Sequence, residues 1–440
     1  MNSNLSATAV LRRVGQGFFY TCEVNCPQNA DPIRFVYDCG AKTNKKYLEA
    51  AVEAFVEELH GESLNFFVVS HYDEDHVNGL NALLSRGVHI KKVFLPYLTP
   101  LQRMLQGFSA PSFSGWYADF IDNPVSYLTE RGVEEVILVI GSGNDPRDDN
   151  QDSGPPFLDG PLGQPNDFPT DLKPESPRRL PDEFGEGERA VETDDANVIA
   201  ISDRGRVHAG LCWQLKFFNY DRFPPETEIL ISRAAIASDT STDRRIQRWK
   251  KFVSDLLDIL DKDTLSPLEL LTAIRTESVR LAVKEAHKTI RADHNDISMT
   301  LWHGPSHSIR MWSHISGRDE LRMIAGGANQ TNGWWPSGGG TLLTGDLGVK
   351  KRVIFSEFRD HYDGYFDSTE FAQTPHHGSR ASWNRGILDL LPTQSAFFLS
   401  AGIGNTYGHP NLDVLVDISN SGRPCYWGHT HCEVVMQLTT

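Results

Sequence analysis

The segment with the clearest chemical potential is Val68-Val69-Ser70-His71-Tyr72-Asp73-Glu74-Asp75-His76. An apolar run, which reads as a buried strand, ends in His-x-Asp-x-Asp-His. In an extended segment side chains alternate, so His71, Asp73 and Asp75 point the same way. A helix opening at His76 turns that ring toward a neighbouring point. Four nitrogen and oxygen ligands leaving one strand tip suit two adjacent divalent cations. A single Asp-His pair would read as an ordinary charged turn. Four ligands at this spacing do not.

The pattern resembles the metal motif of the metallo-β-lactamase superfamily, which usually reads His-x-His-x-Asp-His; here Asp73 takes the place of the second His. The Asp form resembles one branch, the C-terminal domain of the DNA-uptake protein ComEC and its soluble relatives. Further segments follow in that family's order. Val36-Tyr37-Asp38-Cys39-Gly40 resembles an early strand ending in Asp-x-Gly. Asn295-Asp296-Ile297-Ser298 resembles the polar opening of the second half, and Leu342-Leu343-Thr344-Gly345-Asp346 the strand that carries a bridging aspartate. Thr374-Pro375-His376-His377-Gly378-Ser379 matches the His-His-Gly-Ser loop of the ComEC branch, and Asn405-Thr406-Tyr407-Gly408-His409-Pro410 its Asn-x-Tyr-Gly-His-Pro segment. The similarity covers about residues 8–96 and 293–440.

The resemblance implies an α/β fold, the four-layer αββα sandwich of that superfamily, and a two-metal hydrolase. His71 and Asp73 would hold one cation, Asp75 and His76 the other, and Asp346 would bridge them. One or two of His376, His377 and His409 would complete the shells, with ligand and general acid not separated among the three; His377 and His409 are the expected ligands. Asp75, His376 and His377 are the expected catalytic groups. The family's additional His between the first motif and the bridging Asp has no clear counterpart, since His208 and His294 lie in that interval without a motif. Carboxylate in place of imidazole moves preference from zinc toward manganese, with magnesium a third candidate. Paired cations lower the pKa of water and neutralise charge on phosphoryl oxygens. A histidine of the His-His-Gly-Ser loop could protonate the leaving oxygen, and the backbone N–H groups of Gly378 and Ser379 could hold a phosphate oxygen.

Elements with α/β rhythm would position these residues. Strands are expected at Thr8–Leu11, Phe18–Cys22, Arg34–Tyr37, Phe66–Val69 and Val93–Leu95, with helices at Lys45–Leu59 and Val77–Leu84. Further strands read at Glu135–Ile140, Asn197–Ser202, Cys212–Phe218, Ile297–Trp302, Gly340–Thr344 and Ser395–Ser400. The stretch 141–195 holds 15 acidic and 5 basic residues, 9 prolines and 7 glycines, and reads as a flexible acidic loop. Residues 224–292 read as a helical insertion: Ile246, Trp249, Phe252, Val253, Leu256, Leu257 and Leu260 recur at helical spacing. Ser266-Pro267-Leu268-Glu269 looks like a helix start, with Leu270 to Ile290 a further helix. The core of a single domain would then comprise 8–140, 196–222 and 293–440.

In this 440-residue chain, 39% hydrophobic residues suffice for a core, and no stretch reaches the roughly 18 consecutive apolar residues of a membrane helix. No signal-like apolar run follows Arg12 and Arg13, and the six scattered cysteines read as reduced thiols of a cytoplasmic enzyme. Net charge is −16, which disfavours a broad electropositive face for nucleic acid; the acidic loop alone supplies −10 of it. A local basic groove could come from Lys91-Lys92, Lys350-Lys351-Arg352, or Arg244, Arg245, Arg248, Lys250 and Lys251.

The expected substrate is a phosphodiester, DNA first, by the ComEC likeness. The same chemistry on a cyclic nucleotide, an ester or a lactone is the first alternative. A non-catalytic subunit with a structural metal, meeting a protein partner through the helical insertion, is the second. By analogy the chain would suit a component of a multi-gene antiviral defence system. Gly428-His429-Thr430-His431 resembles a terminal motif of calcineurin-like phosphoesterases, but that family's upstream Asp-x-His is missing and no role is assigned.

Overall fold

The computed structural model describes residues 4–42, 45–98, 115–141, 198–220, 232–238, 244–265, 267–287, 298–307, 309–319, 323–325 and 334–440, with single positions between them. In chain order the elements are β1 (Ser6–Leu11), β2 (Gly17–Asn25), β3 (Ile33–Ala41), α1 (Lys45–Leu59), β4 (Leu64–Val68), α2 (Glu74–Ser85), β5 (Ile90–Pro96), α3 (Gly115–Asp122), α4 (Pro124–Thr129) and β6 (Glu135–Ile140). Then follow β7 (Lys173–Pro174), β8 (Pro177–Arg178), β9 (Val198–Ser202), β10 (Val207–Ala209), β11 (Trp213–Phe218), α5 (Arg233–Ser238), α6 (Arg244–Leu260), α7 (Pro267–Ala273) and α8 (Glu277–His287). The remainder is β12 (Thr300–Pro305), β13 (Met311–Asp319), β14 (Met323–Ala325), β15 (Trp335–Ser337), β16 (Gly340–Leu343), α9 (Arg352–His361), β17 (Thr369–Gln373), α10 (Ile387–Leu390), β18 (Ala396–Ser400), α11 (Leu412–Asn420), β19 (Cys425–Gly428) and β20 (Cys432–Thr439).

The protein is mixed α/β, with two large sheets of 11 and 9 strands among the described residues. In the larger, β3, β4, β5, β6 and β9 run parallel. A parallel neighbour needs a crossover, which α1 supplies between β3 and β4 and α2 between β4 and β5. In the smaller, β16, β17, β18 and β19 run parallel.

Strand β4 shows why three hydrophobic clusters form. Its side chains alternate between faces. Phe67 and Val69 join Leu48, Val52 and Phe55 of α1. Phe66 and Val68 join Trp213, Leu215, Leu301 and Phe398 of the other sheet. On the far face of the smaller sheet, Leu342, Ala372 and Phe397 pack with Ile354, Phe358, Val414 and Ile418 of α9 and α11. Strands covered on both faces explain the unbroken apolar runs in the sequence.

Residues 224–292 contribute helices, as their spacing predicts. Phe252, Val253, Leu256 and Leu257 belong to the same cluster as the face of α1, so these helices share a core with the larger sheet. The helix expected over Leu270–Ile290 is broken: α7 ends at Ala273 and α8 starts at Glu277. Thr276, a residue type favoured at helix starts, stands just before it. The acidic stretch 141–195 lies outside the described residues apart from Gly141 and the strand pieces β7 and β8, which pair at sheet edges. Among the described residues no helix is long and apolar enough to cross a membrane.

The cysteine expectation is corrected at one pair. Cys26 and Cys212 are joined at 2.18 Å between sulfurs and 6.0 Å between Cα atoms. They lie 186 residues apart in sequence, and only the closure of the two sheets brings them together. Cys22, Cys39, Cys425 and Cys432 are buried thiols.

Candidate metal centre

The first motif is built by the end of β4 and the start of α2. Strand pairing stops at Val68, and α2 begins at Glu74, three residues before the apolar pattern starts. Asp75 therefore sits in the first turn of a helix rather than in an extended segment. The alternation expected for His71, Asp73 and Asp75 is not what gathers them. The chain turns at Asp73, which is extended and precedes the helix, and the first turn of α2 presents Asp75 and His76 instead. Two carboxylates in the first turn also suit the positive end of the helix dipole. The site end of β3 is fastened to this turn. A Cβ on Gly40 would stand 2.2 Å from the Asp75 carbonyl oxygen, so only glycine admits the approach. Asn78 then clamps Ala41 through both backbone groups, at 3.0 and 2.8 Å.

Three histidines present Nε2 to a common centre because their Nδ1 atoms are committed elsewhere. The Ser70 hydroxyl donates to Asp38 Oδ2 at 2.6 Å, so its oxygen is left to accept from His71 Nδ1 at 2.8 Å. His76 Nδ1 donates to Asp38 Oδ2 at 2.8 Å, and His377 Nδ1 donates to the Ser400 carbonyl at 2.8 Å. Metal-binding histidines are typically oriented by such oxygen acceptors behind the ring. His71 Nε2, His76 Nε2 and Asp346 Oδ1 are buried and have no hydrogen-bond partner. Buried polar atoms without partners are costly, so the pocket is poorly satisfied by protein alone.

Asp346 stands at the middle. Oδ1 lies 3.6 Å from His76 Nε2 and 3.8 Å from His377 Nε2. Oδ2 lies 4.0 Å from His71 Nε2 and 3.4 Å from His376 Nε2. Two ligands each ~2.1 Å from one tetrahedral ion are about 3.4 Å apart, and these separations approach that value. Asp346 is held by its own N–H, which donates to Ser298 Oγ at 3.0 Å. Gly345 before it adopts φ +52°, and a Cβ there would meet Ser298 Oγ at 2.3 Å.

The His-His-Gly loop is strained into place. His376 and His377 have φ of 48° and 56°, which costs a side-chain-bearing residue roughly 1–2 kcal/mol each. The kink sends His377 inward, where it is buried, and leaves His376 partly exposed with Nδ1 3.2 Å from Ser382 Oγ. The Ser379 N–H donates to the His376 carbonyl at 2.8 Å. It is thus committed to the turn, contrary to the expectation that it would hold a phosphate oxygen.

Electrostatics follow the crowding. Burial pushes His71 well below the usual histidine range, and neighbouring His76 adds to the shift. Burial works the same way on His76, but Asp346 and Asp38 on its two sides outweigh it and hold its pKa well up. Burial alone would raise Asp346; the surrounding His376, His76 and His377 outweigh it and hold its carboxyl well below the usual range. Burial lowers His377 to about 4. Burial raises Asp38, against the pull of His76 and Ser70.

Of the residues expected from sequence, His71, His76 and Asp346 have ligand atoms within 4.8 Å of one another, as do Asp75, His76 and His377. Asp73 Oδ2 lies 4.0 Å from His71 Nε2. His409 is the outlying member: its ring is 5.4 Å from that of His376 and 6.4 Å from that of His377. His208 pairs with Gln214 and Lys173 in the strand ladder, and His294 and residues 295–297 lie outside the described residues. His429 forms a tight turn with Cys432 at the end of β19. Among the basic clusters, Lys92 is paired with Glu135 and Lys251 with Asp255 at 2.9 Å, while Lys250 is buried. Lys350 adjoins the site, its N–H donating to the Ser382 carbonyl at 3.1 Å.

Two positioning residues were not singled out from sequence. Asp38 belongs to the Asp-x-Gly strand end of the resemblance, where it has no assigned role, and it adopts a left-handed φ of 52°. Ser298 closes the Asn295-Asp296-Ile297-Ser298 segment of the resemblance, again without an assigned role. Lys42 is a third addition. Its ammonium lies 3.9 Å from Asp75 Oδ2. Burial lowers its pKa, but Asp75, Asp73, Tyr407 and Asp346 outweigh burial and raise it.

No protein-family model matches this chain, and no curated protein matches it.

Proposed function

We propose that this protein is a metal-dependent phosphodiesterase of the metallo-β-lactamase superfamily, resembling the ComEC branch, with DNA as its first candidate substrate. The observation that carries the reading is the convergence on Asp346. Two oxygens of one buried carboxylate face two sets of imidazoles, and three of the facing atoms lack any hydrogen-bond partner. The two packed sheets with helices on their outer faces are read as the four-layer αββα sandwich of that superfamily. The donor set fits two divalent cations. His71, Asp73 and Asp346 would hold one, and Asp75, His76, His377 and Asp346 the other. Three carboxylates and three imidazoles suit zinc or manganese, with magnesium a third candidate.

When bound, such cations supply Lewis acidity and a nucleophile at neutral pH. The chain's own residues do the rest. Asp38 and the Ser400 carbonyl keep His76 and His377 in one tautomer, with Nε2 toward the centre. His376, partly exposed at the mouth and steadied by Ser382, is placed to give a proton to the leaving oxygen. Of the basic clusters read in the sequence, Lys350 lies beside this loop, its ammonium donating to the Arg380 carbonyl at 3.1 Å. The cyclic-nucleotide reading shares this chemistry and differs only in substrate size.

The test is incubation of the purified protein, with manganese or zinc, with single- and double-stranded DNA and with a panel of cyclic nucleotides and lactones. Cleavage of a phosphodiester that is lost in Asp346→Asn and His76→Ala is expected. Intact phosphodiesters, or cleavage unchanged in both variants, would refute the proposal.

A further inference from the structure

Lys42 follows β3 and stands at the mouth of the centre. Its backbone is fixed: its N–H donates to the Gln16 carbonyl at 2.7 Å, and the preceding Ala41 is clamped by Asn78. Its ammonium is 3.9 Å from Asp75 Oδ2, beyond hydrogen-bond reach. It also sits 5.4 Å from the centroid of the Tyr407 ring, within the range of a cation–π contact. Tyr407 is in turn held by its N–H, which donates to Asn405 Oδ1 at 3.0 Å. Its ring lies nearly parallel to His409, at 15° and 6.3 Å between centroids. Asn405 Oδ1 also accepts from the His409 N–H at 3.1 Å, so one side chain holds the backbone at both residues. The Lys42 side chain is 34% exposed, and none of its three N–H donors makes a hydrogen bond to a described residue.

We infer that Lys42 is the substrate's anion anchor, held over the metal centre by Tyr407, and that it selects a phosphoryl group over a neutral ester or lactone. The inference rests on the proposed hydrolase reading. Its placement supports it: the part-exposed ammonium lies beside Asp75 but beyond hydrogen-bond reach of it, so its donors are open to an anionic group at the mouth. A phosphodiester monoanion brings a charge to meet them; a neutral lactone does not. An ammonium with three free donors near a cation pair also fits phosphate geometry as a point charge. Tyr407 contributes by positioning, since a quadrupole holds the cation without taking a donor.

The test measures binding separately from turnover. Inorganic phosphate, a phosphorothioate dinucleotide and a short oligonucleotide are titrated against the manganese-loaded protein, and manganese affinity is measured in parallel by electron paramagnetic resonance. Lys42→Gln should weaken all three anions by roughly 10- to 100-fold, the scale of one charge-assisted hydrogen bond. Lys42→Arg should recover most of that loss, Tyr407→Phe should bind like wild type, and Tyr407→Leu should fall between. Manganese affinity should stay within about twofold throughout. Unchanged phosphate affinity in Lys42→Gln would overturn the inference. So would weakened manganese binding with intact anion binding, because Lys42 would then be a partner of Asp75 alone. An effect confined to the oligonucleotide would overturn the placement beside the centre. Phosphate binding that depends on Lys42, without cleavage of any phosphodiester, would refute the hydrolase reading and leave the anchor standing. A protein that takes up no manganese would overturn both.

Discussion

Asp38→Asn separates orientation of a ligand from the ligand itself. Asp38 makes no approach to the centre of its own; it holds His76 Nδ1 at 2.8 Å and the Ser70 N–H and hydroxyl at 2.7 and 2.6 Å. Through Ser70 it also fixes His71. Asn is the informative replacement because it tolerates the left-handed φ of 52° at this position and keeps the volume. It replaces one carboxylate oxygen by an NH2 group. Whichever way the amide turns, an NH2 faces a group that itself donates: the Ser70 N–H on the Oδ1 side, or His76 Nδ1–H on the Oδ2 side. The His76 ring then either rotates or changes tautomer. Loss of such a supporting carboxylate typically costs 10- to 100-fold in metal affinity, or about 1.4–2.7 kcal/mol. Removal of the Asp38 charge also takes away one of the two groups that raise the His76 pKa, so His76 in the metal-free variant should lose its proton at lower pH. Calorimetric titration with zinc or manganese at pH 7.5 reads the affinity, and thermal unfolding of the metal-free proteins provides the control. A metal affinity within twofold of wild type, with the fold intact, would refute the argument that Asp38 orients the ligands. Asp38→Ala is a poorer probe, since it leaves buried donors at Ser70 and His76 unpaired and threatens the fold.

Two further predictions concern the frame. Glu370 is buried in β17, accepts from Trp335 Nε1, and has its pKa pushed up to about 8 by burial. Its folded pKa exceeds the ordinary value of 4.5, so the fold favours the neutral acid: this contribution to stability is full below about pH 4.5 and is lost as pH rises through about 8. Urea unfolding at pH 5 and pH 8 should show a stability decrease in wild type that Glu370→Gln largely removes; equal pH dependence in both would contradict the assignment. Leu257, fully buried in α6 within the cluster that includes α1, should cost ~2–5 kcal/mol on truncation to Ala, in a single unfolding transition monitored by circular dichroism. A separate low-temperature transition confined to the insertion would show that these helices do not share the core.

Local rules made the elements readable. The alternation of Phe66, Phe67, Val68 and Val69 across a strand, and the spacing of Leu48, Val52, Phe55 and Leu59 on a helix, depend on neighbours within a few residues. So does the Pro at the start of α7. Where a local rule was applied across a boundary it failed. The helical pattern began visibly at Val77, but α2 starts at Glu74, because polar residues in a first turn are stabilised by the helix end and not by apolar burial. The break between α7 and α8 was hidden for a related reason: Leu270, Ile274 and Val283 are all buried in one cluster, so the apolar spacing continues across it.

The order of chemically capable residues, from His71 through Asp346 to His377, is written in the chain and was sufficient to nominate a metal centre and an α/β frame. The meeting of those residues is not. Asp38 reaches Ser70 and His76 because β3 and β4 are parallel neighbours, Ser298 reaches Asp346 because β12 and β16 are antiparallel neighbours, and Lys42 faces Asp75 because Gly40 has no side chain to prevent it. The bond between Cys26 and Cys212 goes further and joins the two sheets. Each joins positions whose separation along the chain carries no record of their separation in space. Strand pairing within each sheet, and burial of the two sheets against one another, decide such pairs, and both are properties of the folded whole.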